Sequence, residues 1–310
     1  MDPLEDVLAL LGATSRISTS LAAGGSWAIE FGPPAGVKFN SVRRGRCHLR
    51  IEGRDAPYDL EPGDCFLLTR PRPFTLFSDP AAVPAAAGPI FRAAVDGVAR
   101  AGDGDDVFMI GGAFSFGDRA RTLLLDDLPP VVHVPAAAEE AAGVRWAIGQ
   151  IDTELRHRRL GSTLVAEHLA LVMLIQVLRV HLMRDAPHTS GWLAGTSDPV
   201  VSVALRRIHL RPAHPWTVEE LARAAGVSRS TMAARFGSTV GMGPLEYLTD
   251  WRIELAADRL RRGDGTVATI AREVGYGSES AFSVAFKRVI GISPGAYRRK
   301  PKPPPVAVSG

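Results

Sequence analysis

The sequence predicts an α+β multidomain protein: an antiparallel β-barrel with a helix pair behind it, then an all-α domain built on two helix-turn-helix units. Three observations carry that prediction. Short apolar runs broken by Pro and Gly fill residues 25–78, a helical period sets in after Pro135, and the last third holds a near-repeat spaced by about 49 residues. The 310 residues are 46% hydrophobic and 22% charged, which is globular composition and excludes a disordered chain. The 31 glycines have no period and there are two cysteines, so neither collagen nor a disulfide scaffold fits.

The first element is the barrel, assigned to residues 1–135. Trp27–Phe31, Cys47–Ile51 and Cys65–Thr69 read as strands separated by Pro-Pro, Gly and Pro-Gly-Asp turns. Residues 79–106 are rich in Pro, Ala, Gly and Asp and read as an excursion off the barrel, with strand character returning at Val107–Phe116 and near 123–134. Residues 136–184 follow as a helical segment, one helix over Glu139–Arg158 and a second over Ser162–Met183. In the second, Leu164, Leu171 and Leu178 recur every seven residues, while Val165, Leu169 and Val172 widen the apolar face. Such a helix needs cover on more than one side, from packing on the barrel alone or, as expected here, from a homodimer seam through residues 139–183. Residues 185–199 read as a linker, 200–300 as the all-α domain and 301–310 as a disordered tail.

In the last domain, Thr217–Val227 (TVEELARAAGV) resembles Thr266–Tyr276 (TVATIAREVGY). Thr217 and Glu220 have capping-box spacing, Gly226 and Gly275 stand where each helix ends, and Ser228 and Ser278 can cap the helix that follows. A Gly-bearing turn between two short helices is the helix-turn-helix requirement. Between the copies, Pro244–Arg262 carries Leu245, Leu248, Trp251, Leu255 and Leu260 at helical spacing. A helix of roughly 20 residues is about 30 Å long, near the ~34 Å between successive major-groove faces of one DNA side. Charge agrees: residues 198–310 carry 17 basic and 10 acidic side chains, net +7, against −4 for residues 1–197.

These residues carry a resemblance. WTVEELARAAGVSRS, GPLEYLTDWRIELAADRL, IAREVGYGSESAFSVAFKR and GISPGAYRR, together spanning Trp216–Arg299, closely resemble the DNA-binding domain of AraC/XylS-type transcriptional regulators. The N-terminal part, through LRIEG, LEPGDCFLLTRPRPF and LLLDDLPPVVHV, resembles the cupin-like sensor that precedes this domain in many family members. The resemblance implies a one-component regulator, not an enzyme, that binds double-stranded promoter DNA and answers to an unidentified small-molecule effector or a redox signal.

Phe236 and Phe286, with Met232 and Phe282 one turn earlier, read as core anchors of the two second helices. The opposite faces, expected to meet DNA, offer Arg229, Ser230, Ala233, Ala234 and Arg235 in one unit and Ser278, Glu279, Ser280, Ser283, Val284, Lys287 and Arg288 in the other. Family members often carry arginine where this chain has Ala234 and Val284. Alanine and valine offer a base edge only apolar contact, so much of the affinity is expected from phosphates, through Arg229, Arg235, Lys287, Arg288, Arg298 and Arg299.

A cupin enzyme needs two or three His ligands and usually a Glu. Before His133 the chain has only His48, and Asn40 and Phe74 stand where the resemblance leads one to expect ligand histidines, so no metal and no cofactor are expected. Trp27, Phe39, Phe66 and Phe74 are then candidates for an apolar effector pocket, with Phe31 and Phe77 nearby, although aromatics in a small barrel are often plain core. Cys47 and Cys65, if on neighbouring strands, would permit a thiol switch. Gly291–Gly295 fits G-x-S-x-G but lacks the strand-turn-helix setting, and Asp103–Asp106 lacks calcium-loop spacing. A metal-dependent cupin enzyme tethered to DNA and a signal-independent DNA-binding protein are the competing classes. The N-terminus, MDPLEDVLALLG, has no basic region of the signal-peptide kind, and the apolar run Leu169–Leu178 is too short for a bilayer, so a cytoplasmic protein without a membrane partner is expected.

Overall fold

The computed structural model of the chain describes residues 3–117, 124–185 and 191–299; the expected tail at 301–310 and part of the expected linker lie outside the described residues. The chain divides into two compact units. One is built mainly of strands: β1 Thr14–Ile17, β2 Ser20–Gly24, β3 Ala28–Phe31, β4 Val37–Arg44, β5 Cys47–Ile51, β6 Tyr58–Leu60, β7 Cys65–Leu68, β8 Phe74–Phe77, β9 Ala85–Ala86, β10 Val98–Gly102, β11 Val107–Ser115 and β12 Val131–Val134. They form a seven-stranded sheet ordered β10-β2-β11-β4-β7-β12, with β1 also on β11, and a five-stranded sheet ordered β6-β5-β8-β3-β9. Inward residues of both sheets, among them Leu21, Val42, Phe66 and Met109 from one and Ile29, Leu49 and Leu76 from the other, share one core.

Two features depart from the expected antiparallel barrel. The segment expected to leave the barrel instead supplies a short helix over Ala87–Arg92, and then β10, which pairs in parallel with β2 from Val98↔Ser20 to Gly102↔Gly24. The two-residue β9 also pairs in parallel, with β3. Register between β4 and β11 depends on the glycine pair of β11. A Cβ on Gly111 would strike the Asn40 amide and one on Gly112 would strike the Phe39 ring, so the two glycines admit one side chain on each face of the sheet.

The expected helix pair is present as Ala142–His157 and Ser162–Asp185. Arg43 of β4 reaches Asp152 of the first with Nε and Nη2, both at 3.3 Å, and Arg156 adds a 3.0 Å bond from one turn on. The second buries Ala166, Ala170, Met173, Leu174, Val177 and Leu178 and leaves Leu164, Val165, Val172 and Met183 exposed. Over Ser162–Arg184 the helix has a mean hydropathy of 1.7, enough for a bilayer by length and composition alone and over a longer stretch than the run Leu169–Leu178. Its buried side is equally that of a core helix.

The other unit is helical. Its members are Pro3–Leu11, Trp192–Gly195, Val201–Leu210, Val218–Ala224, Arg229–Val240, Pro244–Arg262, Val267–Glu273, Glu279–Ile290 and Pro294–Arg299, with a single turn at Leu125–Asp127. Two of these correct the expected boundaries. Pro3–Leu11 groups here and not with the strands, and Trp192–Gly195, expected within a linker, is a short helix with Trp192, Leu193 and Ala194 buried. The first buries Leu4, Val7 and Leu11 and adds a polar contact. His209 stacks on Trp251 at 4.2 Å, its Nε2 lies 2.8 Å from the Tyr247 hydroxyl and its Nδ1 lies 3.2 Å from Asp6 Oδ2. One neutral tautomer satisfies both: Nδ1–H donates to Asp6 and Nε2 accepts from Tyr247.

Each helix-turn-helix turn closes in the same way. Val227 N–H donates to Ala222 O and Gly226 N–H to Arg223 O; Tyr276 and Gly275 repeat the pattern onto Ala271 and Arg272. Gly226 has φ +67° in open space, whereas Gly275 has φ +95° and a Cβ there would lie 2.6 Å from Ala213 O. Gly226→Ala is therefore expected to cost about 1–2 kcal/mol, and Gly275→Ala clearly more, as read by urea unfolding of the full chain.

Burial pushes the His209 imidazole down to about 3. The folded state thus holds it neutral where the unfolded chain would take up a proton below about 6.5. The stability this contributes is complete above that value and is lost as pH falls towards 3, at about 1.4 kcal/mol per pH unit. His209→Gln should remove that slope from urea midpoints followed by tryptophan fluorescence; an unchanged slope would mean that another group titrates.

Candidate nucleic-acid interface

Both second helices of the repeat are fixed by the same local devices. The capping box forms in full: Glu220 N–H donates to Thr217 Oγ1 at 3.1 Å, and Thr217 N–H donates to Glu220 Oε2 at 2.8 Å. Thr266 caps the matching helix through Thr269 N–H, also at 3.1 Å. Ser228 then caps Arg229–Val240 through Thr231 N–H, and Ser278 caps Glu279–Ile290 through Ala281 N–H. Both helices end at a left-handed glycine, Gly241 and Gly291.

The inward stripe of each is apolar and fully buried: Met232 and Phe236 in one, Phe282 and Phe286 in the other. Phe286 packs with Ile253, Ala257 and Leu260 of the connecting helix Pro244–Arg262, and Phe236 meets Tyr247 of that helix edge-on at 5.8 Å. One 19-residue helix, about 28 Å long, therefore anchors both units. Arg252 at its middle donates from Nε to Pro212 O at 2.6 Å and from Nη2 to His214 O at 2.8 Å, and its guanidinium lies over the Tyr276 ring at 5.9 Å. It thereby ties the loop before the first unit to the turn of the second, a role without a spacing signature in the sequence.

With the apolar stripe fixed, the opposite faces are exposed. Arg229, Ser230, Ala233, Ala234 and Arg235 are all on the surface, as are Glu279, Ser280, Val284, Lys287 and Arg288; Ser283 is half-buried. Two side chains have local duties. The Ser278 hydroxyl is the helix cap, and Arg235 Nε donates to Asp198 Oδ2 at 2.8 Å. Asp198 in turn accepts from the backbone N–H groups of Val200 and Val201, and these bonds with Arg235 hold its carboxyl below the usual range despite partial burial. The exposed faces thus combine cations at their margins with alanine and valine at their centres.

Of Trp27, Phe39, Phe66 and Phe74, Phe74 lines a cavity beside Phe31; Trp27 and Phe66 belong to the shared core, and Phe39 lies 5.1 Å from Phe114 on the other face of its sheet. Cys47 and Cys65 are free and buried in different sheets, each against a methionine sulfur, Met109 at 3.8 Å and Met173 at 4.0 Å. Burial pushes both thiols up to about 12. The expected adjacency is absent, and a buried protonated thiol is a poor nucleophile, so the thiol-switch expectation is corrected. His48 Nδ1 is 2.8 Å from Asp59 and His133 Nε2 is 3.0 Å from Asp64, a buried carboxylate that also accepts from Glu61 and Ala136 N–H. No group of three or more His, Cys, Asp or Glu able to hold a metal occurs among the described residues.

The cupin family profile matches residues 2–183, and the helix-turn-helix domain profile matches residues 221–300. A Streptomyces lividans protein named AraC-like transcription regulator is 63% identical over 305 residues, covering 98% of this chain and all of the relative. The transcriptional regulator AlkR of Acinetobacter baylyi is 38% identical over 181 residues, 57% of this chain and 58% of its own. Among solved structures, the DNA-binding domain of AdpA, a global transcriptional factor crystallised with a target DNA, is 35% identical, covers 33% of this chain and 91% of its own, and has a TM-score of 0.31. Relatives of this kind are named as regulators and not as enzymes. With its N-terminal cupin domain and C-terminal helix-turn-helix domain, the chain belongs to the AraC-like transcription regulators.

Proposed function

We propose that Arg229–Val240 and Glu279–Ile290 enter successive major-groove faces of promoter DNA, with Arg229, Ser230, Ala233, Ala234, Ser280, Ser283 and Val284 towards the bases. Arg235, Lys287, Arg288, Arg298 and Arg299 then meet phosphates. The observation that carries this is the pairing of two identically capped helices on one central helix, each with its apolar side buried and its other side exposed. Ala233, Ala234 and Val284 read by apolar contact, for instance with a thymine methyl, and Glu279 disfavours close phosphates. Phosphate contacts therefore supply most of the affinity. The protein acts in the cytoplasm, and a small molecule bound by the strand unit changes its affinity for DNA through linkage.

A second copy of this chain is the partner proposed for the helix pair. Leu164, Val165, Val172 and Met183 are exposed apolar residues along Ser162–Asp185, and Trp146 on the neighbouring helix is more than half exposed. Exposed apolar residues at this spacing are the pattern of a helix–helix interface. Sedimentation should find a dimer, and Val165→Glu with Val172→Glu a monomer; wild-type monomer at micromolar concentration would remove this reading.

DNA recognition is tested by selection from randomised fragments at fixed near-physiological salt, followed by anisotropy titrations on the enriched site. Two elements about one helical turn apart are expected. Lys287→Ala should weaken binding evenly across sequences and lower the slope of log K against log salt by about 1. A shallow wild-type slope, or enrichment of a single element, would count against two units reading DNA.

A further inference from the structure

We infer that the strand unit binds a compact apolar organic carboxylate in the cavity between β3, β4 and β8, with Lys38 as its charged anchor. The cavity has a volume of about 310 Å³, at the small end for ligand sites, and its walls include Phe31, Phe74, Pro33, Pro34 and Ala113. Phe31 and Phe74 face each other across β3 and β8, with parallel rings 4.5 Å apart. They provide a flat, rigid apolar wall.

Lys38 is the cation of this cavity. On β4 it pairs with Leu68 of β7 and Ala113 of β11, and its Nζ stands 5.9 Å from the centre of the Phe31 ring. Glu30 lines the same cavity but is exposed and forms no ion pair with it, and among the described residues Lys38 has no carboxylate partner. Burial accordingly lowers its pKa. Two residues along the same strand face, Asn40 is buried and its Nδ2 donor has no partner. This is the position at which the family resemblance led to the expectation of a metal-binding histidine.

The chemistry selects the class of ligand. Two donors on one inward strand face lack acceptors, and an unpaired polar group in an apolar setting is costly. Donors of this kind do not bind a metal ion. A single lysine among apolar walls suits a monoanion better than a phosphate, which is bound by several donors at once. A carboxylate on a small hydrocarbon body meets the ammonium with its charge and the Phe31–Phe74 wall with its remainder. Binding energy comes from both, so neither a neutral analogue nor a bare anion should replace it.

This inference rests on the reading of the strand unit as a small-molecule sensor, and its test is separable from that reading. The full-length protein is titrated calorimetrically with octanoate, cyclohexanecarboxylate and 4-phenylbutanoate, each beside its primary amide. At least one acid should bind about tenfold or more tightly than its amide. Lys38→Met should abolish that preference while leaving the thermal unfolding midpoint unchanged or higher, and Lys38→Arg should restore part of it. Absence of acid binding at millimolar concentration, equal binding of acid and amide, or an unaffected Lys38→Met variant would each overturn the site. The same ligands are then added to the protein on its selected DNA. A bound acid that leaves DNA affinity unchanged would keep the site and remove the sensor reading instead.

Discussion

The geometry of the helical unit depends on the central helix Pro244–Arg262, because the two helix-turn-helix units that flank it are each too small to hold a core. Val218–Ala224 and Val267–Glu273 are seven-residue helices, well below the length at which an isolated helix persists in water. Their order comes from Tyr247, Leu248, Trp251, Ile253, Ala256, Ala257 and Leu260, which are buried and are presented along one rigid rod. The spacing of the two exposed helices is then a property of that rod and not of any loop. Arg252 adds a second constraint at mid-rod, since its bonds to Pro212 O and His214 O satisfy carbonyls that a loop would otherwise leave to water.

The repeat was legible in the sequence because every device in it is local. A threonine three residues before a Glu, a glycine at the end of a short helix, and a serine before the next are all within one or two turns of what they stabilise. The strands Cys47–Ile51 and Cys65–Leu68 and both long helices were legible for the same reason: period and punctuation lie inside each segment. What escaped is what depends on distant partners. Residues 98–102 read as loop because Gly, Ala and Arg carry no alternation, yet they form an edge strand once β2 is there to pair with. The place of Pro3–Leu11 in the helical unit goes with the burial of Leu4, Val7 and Leu11 and with Asp6 meeting a histidine 203 residues away, and no local pattern encodes those partners.

The candidate sites divide along the same line. Exposure of Arg229, Ala233, Ala234, Val284 and Lys287 followed from placing Met232 and Phe236 of one helix and Phe282 and Phe286 of the other inward, because helical geometry fixes the opposite face once one face is known. For the strands, parity within each segment was readable but the pairing was not. Phe39 and Asn40 point to opposite faces of β4, and which face is inward is decided by Gly111 and Gly112 on β11, whose missing side chains admit one of them each. Reading four aromatics as one pocket ignored that parity, and reading two cysteines as neighbours ignored that β5 and β7 belong to different sheets.

The same parity explains why a lysine can occupy an inward position at all. Lys38, Asn40 and Val42 share a face of β4, and only Val42 is the residue type that such a face favours. A chain selected for stability alone would replace the other two with apolar residues, since removing a buried unpaired donor is neutral or stabilising when the shape is kept. Their cost is confined to one end of the core, beside the stacked Phe31–Phe74 pair, while Leu21, Leu49, Leu76 and Met109 keep the remainder of that core apolar. Local conflict between polarity and burial, in a fold whose other choices agree with one another, marks residues retained for binding. In this unit the conflict and the cavity coincide at Lys38.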